Sequence, residues 1–363
     1  MVIQTMWKDR LSVEELRGQA GKDLVRRIEN LAAMGCGLLR FAVPSLEDAE
    51  IVGELAARIT LPVCADIHFD HKIALRCMDF PVAKLRINPG NIGNRTKVEK
   101  VASKAAARNI PIRIGVNAGS LPVYLRKEVE QGLDRSEALV RAAQDELAIF
   151  KELGFTNTAV SMKASGITDT IKANRLFSNS SDVPLHIGVT EAGPLVSGTV
   201  RNTAALLPLL AEGIGDTLRI SLSDTMENEV IAGREILSSA GEMALSFTDG
   251  KKEAVLNRLQ RGVVLVSCPR CGRAGFDTIA FTERWKNRLY CLEKNCTVAV
   301  MGCAVNGPGE ARHADLGITG TGNRVVIFRQ GKIIKTIRAE DQEEIDRAFN
   351  EELEKTNDLY HAR

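Results

Sequence analysis

The sequence predicts an α/β protein: a (β/α)8 TIM barrel followed by a small α+β domain. From the start to about Gly241, eight short apolar runs of β type alternate with amphipathic helical stretches. Eight β/α repeats over ~240 residues are typical of this barrel. After Ser246 the pattern changes to strands that run into clustered cysteines. An open doubly wound sheet is the alternative for the first part, and the count of eight favours the barrel.

The eight predicted barrel strands are apolar runs that end in polar residues. They are Val2–Met6, Leu38–Val43, Pro62–Ile67, Ala83–Asn88, Pro111–Asn117, Thr158–Ser165, Pro184–Glu191 and Thr217–Ser223. The helical patterns between them stop at Gly35, Asn109 and Gly154, which are residue types that end helices well.

The C-terminal part reads as a separate small domain. The stretch "VVLVSCPRCGR" (263–273) is a strand that runs into Cys-x-x-Cys, and a second strand, Thr297–Met301, leads to Cys303. "RVVIFRQGKIIKTI" (324–337) reads as a hairpin, and "EDQEEIDRAFNEELEKT" as a closing helix. We therefore predict a barrel over 1–246, a polar connector over 247–261 and a cysteine-centred domain over 262–363.

Composition excludes several classes of protein. The 363 residues are 26% charged and 44% hydrophobic with a net charge of +2, which is ordinary for a globular chain and does not suggest a nucleic-acid binder. No run approaches the ~20 apolar residues of a membrane span. The N-terminus lacks the apolar segment of a signal peptide. We expect no membrane association and a cytoplasmic location.

Polar side chains mark the strand ends, where a TIM barrel builds its active site. Many share a strand face by spacing: Asp66 with His68, Arg86 with Asn88, Arg113 with Asn117, Lys163 with Ser165, and Arg219 with Ser221 and Ser223. Arg40 lies within the second strand and Glu191 ends the seventh. Cations outnumber acids here, and arginine forks suit phosphate. The set predicts a small phosphorylated ligand, although any single member can instead be solvated or pair with a neighbouring charge.

The clustered cysteines admit two interpretations. Cys268-x2-Cys271 followed by Cys291-x4-Cys296 nearly fits a zinc ribbon, which leaves Cys303 without a role. Alternatively, Cys268, Cys271 and Cys303 are three ligands of a 4Fe–4S cluster with an unusual fourth ligand. Cys268 and Cys303 each follow a short strand and sit in turns rich in Pro and Gly, which favours the cluster and leaves zinc open.

Several long motifs, in one order, resemble the bacterial 4-hydroxy-3-methylbut-2-enyl diphosphate synthase family. They are "ADIHFD", "KLRINPGNIG", "IRIGVNAGSL", "SMKAS", "PLHIGVTEAG", "GIGDTLRISLS", "SCPRCGR" and "GCAVNGPGEA". They extend over nearly the whole chain. The resemblance implies a TIM barrel followed by a sulfite-reductase-like domain. It also implies reductive opening and dehydration of 2-C-methyl-D-erythritol 2,4-cyclodiphosphate, with ferredoxin or flavodoxin as the electron donor.

The resemblance also assigns residues. It implies a 4Fe–4S cluster held by Cys268, Cys271, Cys303 and Glu310, and a homodimer in which the cluster domain of one subunit covers the barrel mouth of the other. Glu191 becomes the proton donor near the departing hydroxyl, with a salt bridge to Arg219 as the alternative. The substrate-binding candidates are Arg40, Asp66, His68, Arg86, Asn88, Arg113, Asn117, Lys163, Ser165, His186, Arg219, Ser221 and Ser223.

Two departures and two competing functions accompany this interpretation. "VIQTMWKDRLS" differs from the family's usual wording and lacks the strand that usually precedes it, so we expect an earlier segment and leave the roles of Gln4, Thr5 and Lys8 open. Cys291 and Cys296 are not expected ligands. The competing functions are a pterin-binding type of barrel transferase with a structural zinc ribbon and, more weakly, a zinc-ribbon module that binds nucleic acid.

Overall fold

A computed structural model describes residues 1–245, 262–272, 274–292, 295–303 and 311–359. The chain divides into two compact units, Met1–Gln260 and Arg261–Arg363. The predicted connector at 247–261 lies outside the described residues.

The first unit is a parallel barrel. Its strands are β1 Val2–Met6, β2 Cys36–Ala42, β3 Val63–Asp66, β4 Lys84–Ile87, β5 Ile112–Asn117, β6 Thr158–Lys163, β7 His186–Ile187 and β8 Thr217–Leu218. They pair in the order β6-β5-β4-β3-β2-β1-β8-β7. A further parallel bridge between Val160 and Leu185 brings β6 beside the start of β7 and nearly closes the circle. The barrel prediction is confirmed, and the open sheet is excluded.

Helices alternate with these strands. They are α1 Gly18–Ala33, α2 Leu46–Ala56, α3 His71–Cys77, α4 Pro89–Ile92, α5 Arg95–Arg108, α6 Val123–Glu130, α7 Arg135–Glu152, α8 Ile167–Ser178, α9 Leu195–Ala211 and α10 Met226–Leu245. Gly35, Asn109 and Gly154 adopt positive φ angles of 105°, 53° and 70° at the predicted helix ends. This left-handed conformation stops a helix and is least costly for glycine and asparagine.

The last two barrel strands are much shorter than predicted. The predicted runs 184–191 and 217–223 contain only His186–Ile187 and Thr217–Leu218 as strand. Gly188, at φ 157°, breaks the seventh run, and a Cβ there would lie 2.4 Å from the backbone oxygen of Arg219. The expectation that Arg219, Ser221 and Ser223 share a strand face is therefore wrong, because all three follow the end of β8.

In its described residues, the second unit forms a five-stranded mixed sheet with two helices. Its elements are β9 Val263–Ser267, α11 Thr278–Tyr290, β10 Cys296–Met301, β11 Leu316–Thr321, β12 Arg324–Arg329, β13 Lys332–Arg338 and α12 Gln342–Leu359. The order is β13-β12-β11-β10-β9, with β9, β10 and β11 parallel and the remaining pairs antiparallel. Phe281, Trp285 and Phe349 join the two helices by edge and stacking contacts.

The hairpin and the closing helix are present as predicted, but β11 was not predicted. Its sequence, LGITGT, carries two glycines, which weaken a strand signal. The structure explains the first of them, because a Cβ on Gly317 would lie 2.1 Å from the ring of Phe328. Among the described helices, none has both the length and the apolar character needed to cross a membrane.

Candidate active site

Asp66 stands at the centre of a charge cluster at the end of β3. Its carboxylate accepts from Arg40 Nη2 at 2.6 Å and from Arg86 Nη1 at 3.2 Å, and His68 Nε2 lies 3.4 Å from Oδ2. Burial alone raises the pKa of Asp66, but hydrogen bonding to His68 and the charges of Arg40 and Arg86 hold it well below its usual range. Asp66 is therefore an ionised anchor for two arginines.

Arg86 occupies space that the neighbouring strand leaves empty. A Cβ on Gly115 of β5 would lie 2.4 Å from Arg86 Nε, so only glycine admits the guanidinium there. Arg86 Nη2 lies 3.4 Å from the Gly115 carbonyl oxygen, which accepts from it. Burial lowers the pKa of Arg86, although Asp66 offsets part of this effect.

Arg113 is a buried cation without a carboxylate partner among the described residues. Its side chain is 2% exposed, its Nη1 donates to Gln4 Oε1 at 3.4 Å, and its Nε and the Gln4 Nε2 atom have no hydrogen-bond partner. Burial and repulsion from Arg40 and Arg86 lower the pKa of Arg113 to about 9. We expect such an arginine to bind an anion, because burying an unpaired charge is strongly unfavourable.

Lys163 ends β6 and meets a histidine from β7. Its Nζ lies 3.1 Å from His186 Nε2, and His186 Nδ1 lies 2.7 Å from Thr217 Oγ1. The pKa of Lys163 is lowered by burial and by the charges of Arg113 and Arg219. Burial also lowers the pKa of His186 well below its usual value. A neutral imidazole that accepts from Lys163 and donates to Thr217 satisfies both contacts.

Arg219 pairs with a carboxylate that the sequence did not single out. Its Nη2 donates to Glu229 Oε1 at 3.2 Å, and Glu229, on α10, is 1% exposed. Glu229 is also 3.1 Å from Lys8 Nζ. Glu191, considered from the sequence as a partner of Arg219, lies elsewhere, in the pocket described next. An acid in the first turn of a helix carries no local signal of this role, since acids are common there.

Glu191 lines a pocket of about 610 Å³ together with Asn117, Ser165 and Thr190. Its φ of 52° is left-handed, a conformation that costs a non-glycine residue energy and concentrates at functional sites. Asn88 lines a neighbouring pocket of about 370 Å³. Ser221 is half-buried and Ser223 exposed, in the loop after β8.

The rim carries an excess of positive charge within the described part of the barrel. The carboxylates in the contacts described above are Asp66 and Glu229. The cations in and around these contacts are more numerous: Lys8, Arg40, Arg86, Arg113, Lys163 and Arg219. Planar guanidinium groups beside a lysine match the geometry and charge of phosphate groups. The arrangement suits a small ligand with more than one phosphate.

In the second unit, Cys268 and Cys303 follow the carboxyl ends of adjacent parallel strands. Cys268 N donates to Val300 O at 2.9 Å, and Cys303 lies two residues beyond β10. A Cβ on Gly302 would lie 3.1 Å from Ala274 Cβ and 3.7 Å from Cys268 Sγ, so Gly302 packs beside that thiol. Cys271 is exposed and lies three residues from Cys268, within about 11 Å along the chain.

The same strands separate the zinc-ribbon cysteines. Cys296 opens β10 opposite Val263, whereas Cys268 follows the far end of β9. At about 3.3 Å per residue, five residues of strand separate the two ends by about 16 Å. Four sulfurs around one zinc ion must each lie about 2.3 Å from it. The zinc ribbon is therefore wrong for this fold.

The donor set of the second unit suits an iron–sulfur cluster, but the described residues do not form a complete site. All eight cysteines are present as thiols. Within the ranges described above, no three His, Cys, Asp or Glu side chains are grouped to hold a metal ion. The predicted fourth ligand, Glu310, lies outside the described residues.

Comparisons with known proteins agree across both units. A family model for the GcpE TIM-barrel domain matches residues 1–234, and one for the GcpE protein C-terminal domain matches residues 264–355. The 4-hydroxy-3-methylbut-2-en-1-yl diphosphate synthase (flavodoxin) of Treponema pallidum is 50% identical, over 97% of this chain and 85% of that protein. Proteins of the same name from Treponema denticola and Geobacter sulfurreducens are 46% and 45% identical, over 98% and 87% of this chain and 92% and 84% of theirs.

Among solved structures, a 7,8-dihydropteroate synthase from Vibrio fischeri ES114 aligns with a TM-score of 0.44 and 8% identity. The alignment covers 68% of this chain and 94% of that one. A likeness this low supports no argument about function.

Proposed function

This chain belongs to the GcpE family, and on that premise we propose that it is a flavodoxin-dependent 4-hydroxy-3-methylbut-2-en-1-yl diphosphate synthase. The enzyme reductively opens and dehydrates 2-C-methyl-D-erythritol 2,4-cyclodiphosphate. The observation that carries the proposal is the surplus of buried cations at the mouth of a barrel that matches the family model. The pterin-type transferase with a zinc ribbon is set aside, because its zinc ligands lie at opposite ends of β9 and β10.

The cations of the rim bind the diphosphate in this proposal. Arg113 and Lys163 are the strongest candidates, because burial and repulsion from neighbouring cations lower the pKa of both groups and a bound anion relieves that repulsion. Arg40 and Arg86 add two guanidinium groups from β2 and β4, the strands on either side of β3. Asp66 holds these two arginines in place, and its 1% exposure assigns it to positioning them.

Hydrogen-bonding groups surround these cations. His186 is fixed by Thr217 and presents Nε2 to Lys163, so it orients the ammonium group toward the ligand. We assign hydrogen bonds to the substrate to Asn88, Asn117, Ser165, Ser221 and Ser223, which follow or end their strands. His68, half exposed beside Asp66, is the remaining candidate on this side.

Glu191 is the proton donor for the departing hydroxyl group in this proposal. It is exposed, lies in the same pocket as Asn117 and Ser165, and has the left-handed backbone described above. A carboxyl group within reach of a leaving hydroxyl converts it to water, which is a far better leaving group than hydroxide. The residue supplies the proton and does not hold the diphosphate.

We assign the cluster ligands to Cys268, Cys271, Cys303 and Glu310. Their chemistry fits the group, because thiolates are the usual ligands of 4Fe–4S clusters, and a carboxylate is a harder ligand that soft iron–sulfur centres hold less firmly. When bound, a cluster of this type transfers electrons one at a time. The exposed Cys271 is the thiol that we expect to reorient as the site forms.

Metal analysis tests the cofactor. We expect anaerobically purified protein to contain about four irons and four sulfides per chain and no stoichiometric zinc. Cys303→Ser removes iron, whereas the matched variant Cys296→Ser, at the opposite end of β10, keeps it. One zinc per chain without sulfide contradicts the cluster, and loss of iron from Cys296→Ser alone contradicts the ligand assignment.

Turnover and assembly are tested separately. Reduced flavodoxin is expected to drive conversion of the cyclic diphosphate, and Arg113→Met to abolish it, while Arg26→Met on the surface of α1 leaves it unchanged. A chain that reduces no cyclic diphosphate under these conditions contradicts the proposed reaction. We also propose a homodimer, which analytical ultracentrifugation tests: a monomer at micromolar concentration refutes it.

A further inference from the structure

Glu229 is a buried carboxylate that gathers donors from three separate parts of the chain. It accepts from Thr5 Oγ1 at 2.6 Å on β1, from Leu222 N at 3.1 Å in the loop after β8, and from Arg219 Nη2 at 3.2 Å. Lys8 Nζ is 3.1 Å away. A buried carboxylate with this many donors holds each donor in one place.

The Glu229 carboxylate fixes the orientation of the Arg219 guanidinium group. Two of its three nitrogens face Glu229, Nη2 at 3.2 Å and Nε at 3.5 Å. The third, Nη1, lies 3.6 Å from Met6 Sδ at the end of β1. The side chain is 17% exposed, so part of the guanidinium still reaches solvent at the mouth of the barrel.

Lys8 ties the segment after β1 to the loop after β8. Besides its ion pair with Glu229, its Nζ donates to Leu222 O at 2.9 Å and to Asp224 O. The sequence left the roles of Thr5 and Lys8 open, and both contact Glu229. One carboxylate therefore joins β1, its following segment and the last βα loop of the barrel.

We propose that Glu229 is a positioning residue of the anion site: it directs the Arg219 guanidinium and, through Lys8, holds the segment after β1 against the loop after β8. This inference rests on the proposed function only in taking the barrel mouth as the diphosphate site. Glu229 itself does not touch the ligand, because its two oxygens are occupied by donors and its side chain is 1% exposed.

The change in net charge and the loss of positioning have opposite effects on anion affinity, so the Glu229→Gln variant distinguishes them. Glu229→Gln removes a negative charge, and that change by itself favours an anion. In this proposal Glu229 does not contact the anion, and the energy between two charges falls as their separation grows. The loss of a correctly oriented guanidinium acts at contact distance, where that energy is largest. We therefore expect weaker binding.

The probe is inorganic pyrophosphate, measured by titration calorimetry on the full chain. We expect Glu229→Gln to weaken binding by about 10- to 100-fold, the range that a hydrogen bond to a charged group is worth. The control is Glu227→Gln, which removes a partly exposed carboxylate from the same helix turn, where Glu227 pairs with Arg27. This control keeps wild-type affinity. Equal affinities of wild type and Glu229→Gln overturn the inference.

A double-mutant cycle separates positioning from general stability. If Glu229 acts through Arg219, then Glu229→Gln has little further effect on affinity once Arg219→Gln is present. Strong non-additivity of this kind is expected for residues in direct contact. Additive losses mean that Glu229 only supports the fold and overturn the inference.

The affinity of Lys8→Met and the affinity of the wild-type chain for pyrophosphate are two further tests. Should Glu229→Gln fail to fold, Lys8→Met is measured instead, since Lys8 is 29% exposed and its replacement is tolerable. We expect a loss of several-fold in pyrophosphate affinity, within the range for a partly exposed charge contact, and unchanged affinity overturns the role of Lys8. Absence of pyrophosphate binding by the wild-type chain overturns the diphosphate site itself, and so is distinguishable from failure of the Glu229 inference alone.

Discussion

Replacing Asp66 by asparagine removes the carboxylate that two buried guanidinium groups share. Asp66 is 1% exposed, while the side chains of Arg40 and Arg86 are 15% and 6% exposed, so water replaces little of what the carboxylate provides. Deleting one partner of a buried ion pair costs about 3–5 kcal/mol, because the remaining charge is left buried and unpaired. We expect D66N to lower the free energy of unfolding by about 3 kcal/mol at neutral pH.

The effect has a defined dependence on pH. The folded-state pKa of Asp66 lies well below its usual value, and the unfolded value is about 3.9. The stabilisation by the carboxylate is therefore complete at neutral pH and is lost as the pH falls below about 4 toward the folded pKa. Asparagine does not titrate. The difference between wild type and D66N stays constant from about pH 5 to pH 8 and shrinks in more acidic solution.

Urea unfolding followed by tryptophan fluorescence measures this difference. The chain has two tryptophans, Trp7 in the barrel and Trp285 in the second unit, so a Trp285→Phe background lets Trp7 report on the barrel alone. Asp23→Asn is the control, because Asp23 pairs with Arg26 on the exposed surface of α1. The reasoning is refuted if D66N is as stable as D23N at neutral pH, or if its deficit persists undiminished in acid.

Three further predictions concern the same rim. Gly115→Ala places a methyl group 2.4 Å from Arg86 Nε, so we expect a loss of about 1–3 kcal/mol in unfolding free energy and weaker pyrophosphate binding by calorimetry. Gly119→Ala, whose added methyl meets no atom within 4 Å, keeps the wild-type unfolding midpoint; equal midpoints for both variants contradict the packing argument. Burial and neighbouring cations lower the pKa of Lys163, so anion binding raises that pKa and takes up protons in the pH range where the free protein holds the amine partly neutral. Calorimetry in two buffers of different ionisation enthalpy detects the uptake, which Lys163→Met reduces. Glu191→Gln is expected to lower kcat by about 100-fold or more with KM little changed, and steady-state kinetics showing a change in KM alone would assign it to binding instead.

Much of the barrel was predictable, because its evidence is local. Apolar runs and amphipathic helices alternate eight times, and the helix ends at Gly35 and Asn109 follow from residue type. Polar strand ends such as Arg86 and Lys163 pointed to the rim, because all parallel strands of this barrel end on one face. The lengths of β7 and β8 were not predictable, since Gly188 breaks its run only where a neighbouring carbonyl approaches.

The candidate site was predictable in its residue types but not in its pairings. Asp66 and His68 were recognised as polar rim residues, yet the sharing of Asp66 between two arginines depends on which strands are neighbours. Glu229 was missed because it lies on α10, where an acid in the first turn is ordinary. No signal in the chain links it to Thr5, 224 positions away.

The sequence by itself determined the number of β/α units, the polar rim and the clustering of thiols, because each arises from residue type and spacing along the chain. The tertiary structure alone decided the register and loop path that bring Thr5, Lys8 and Arg219 onto Glu229. It also decided that Cys268 and Cys296 lie at opposite ends of paired strands, which excludes the four-cysteine zinc ribbon. The physical reason is common to both: strand order and register place side chains in contact across the chain, and no local preference encodes them.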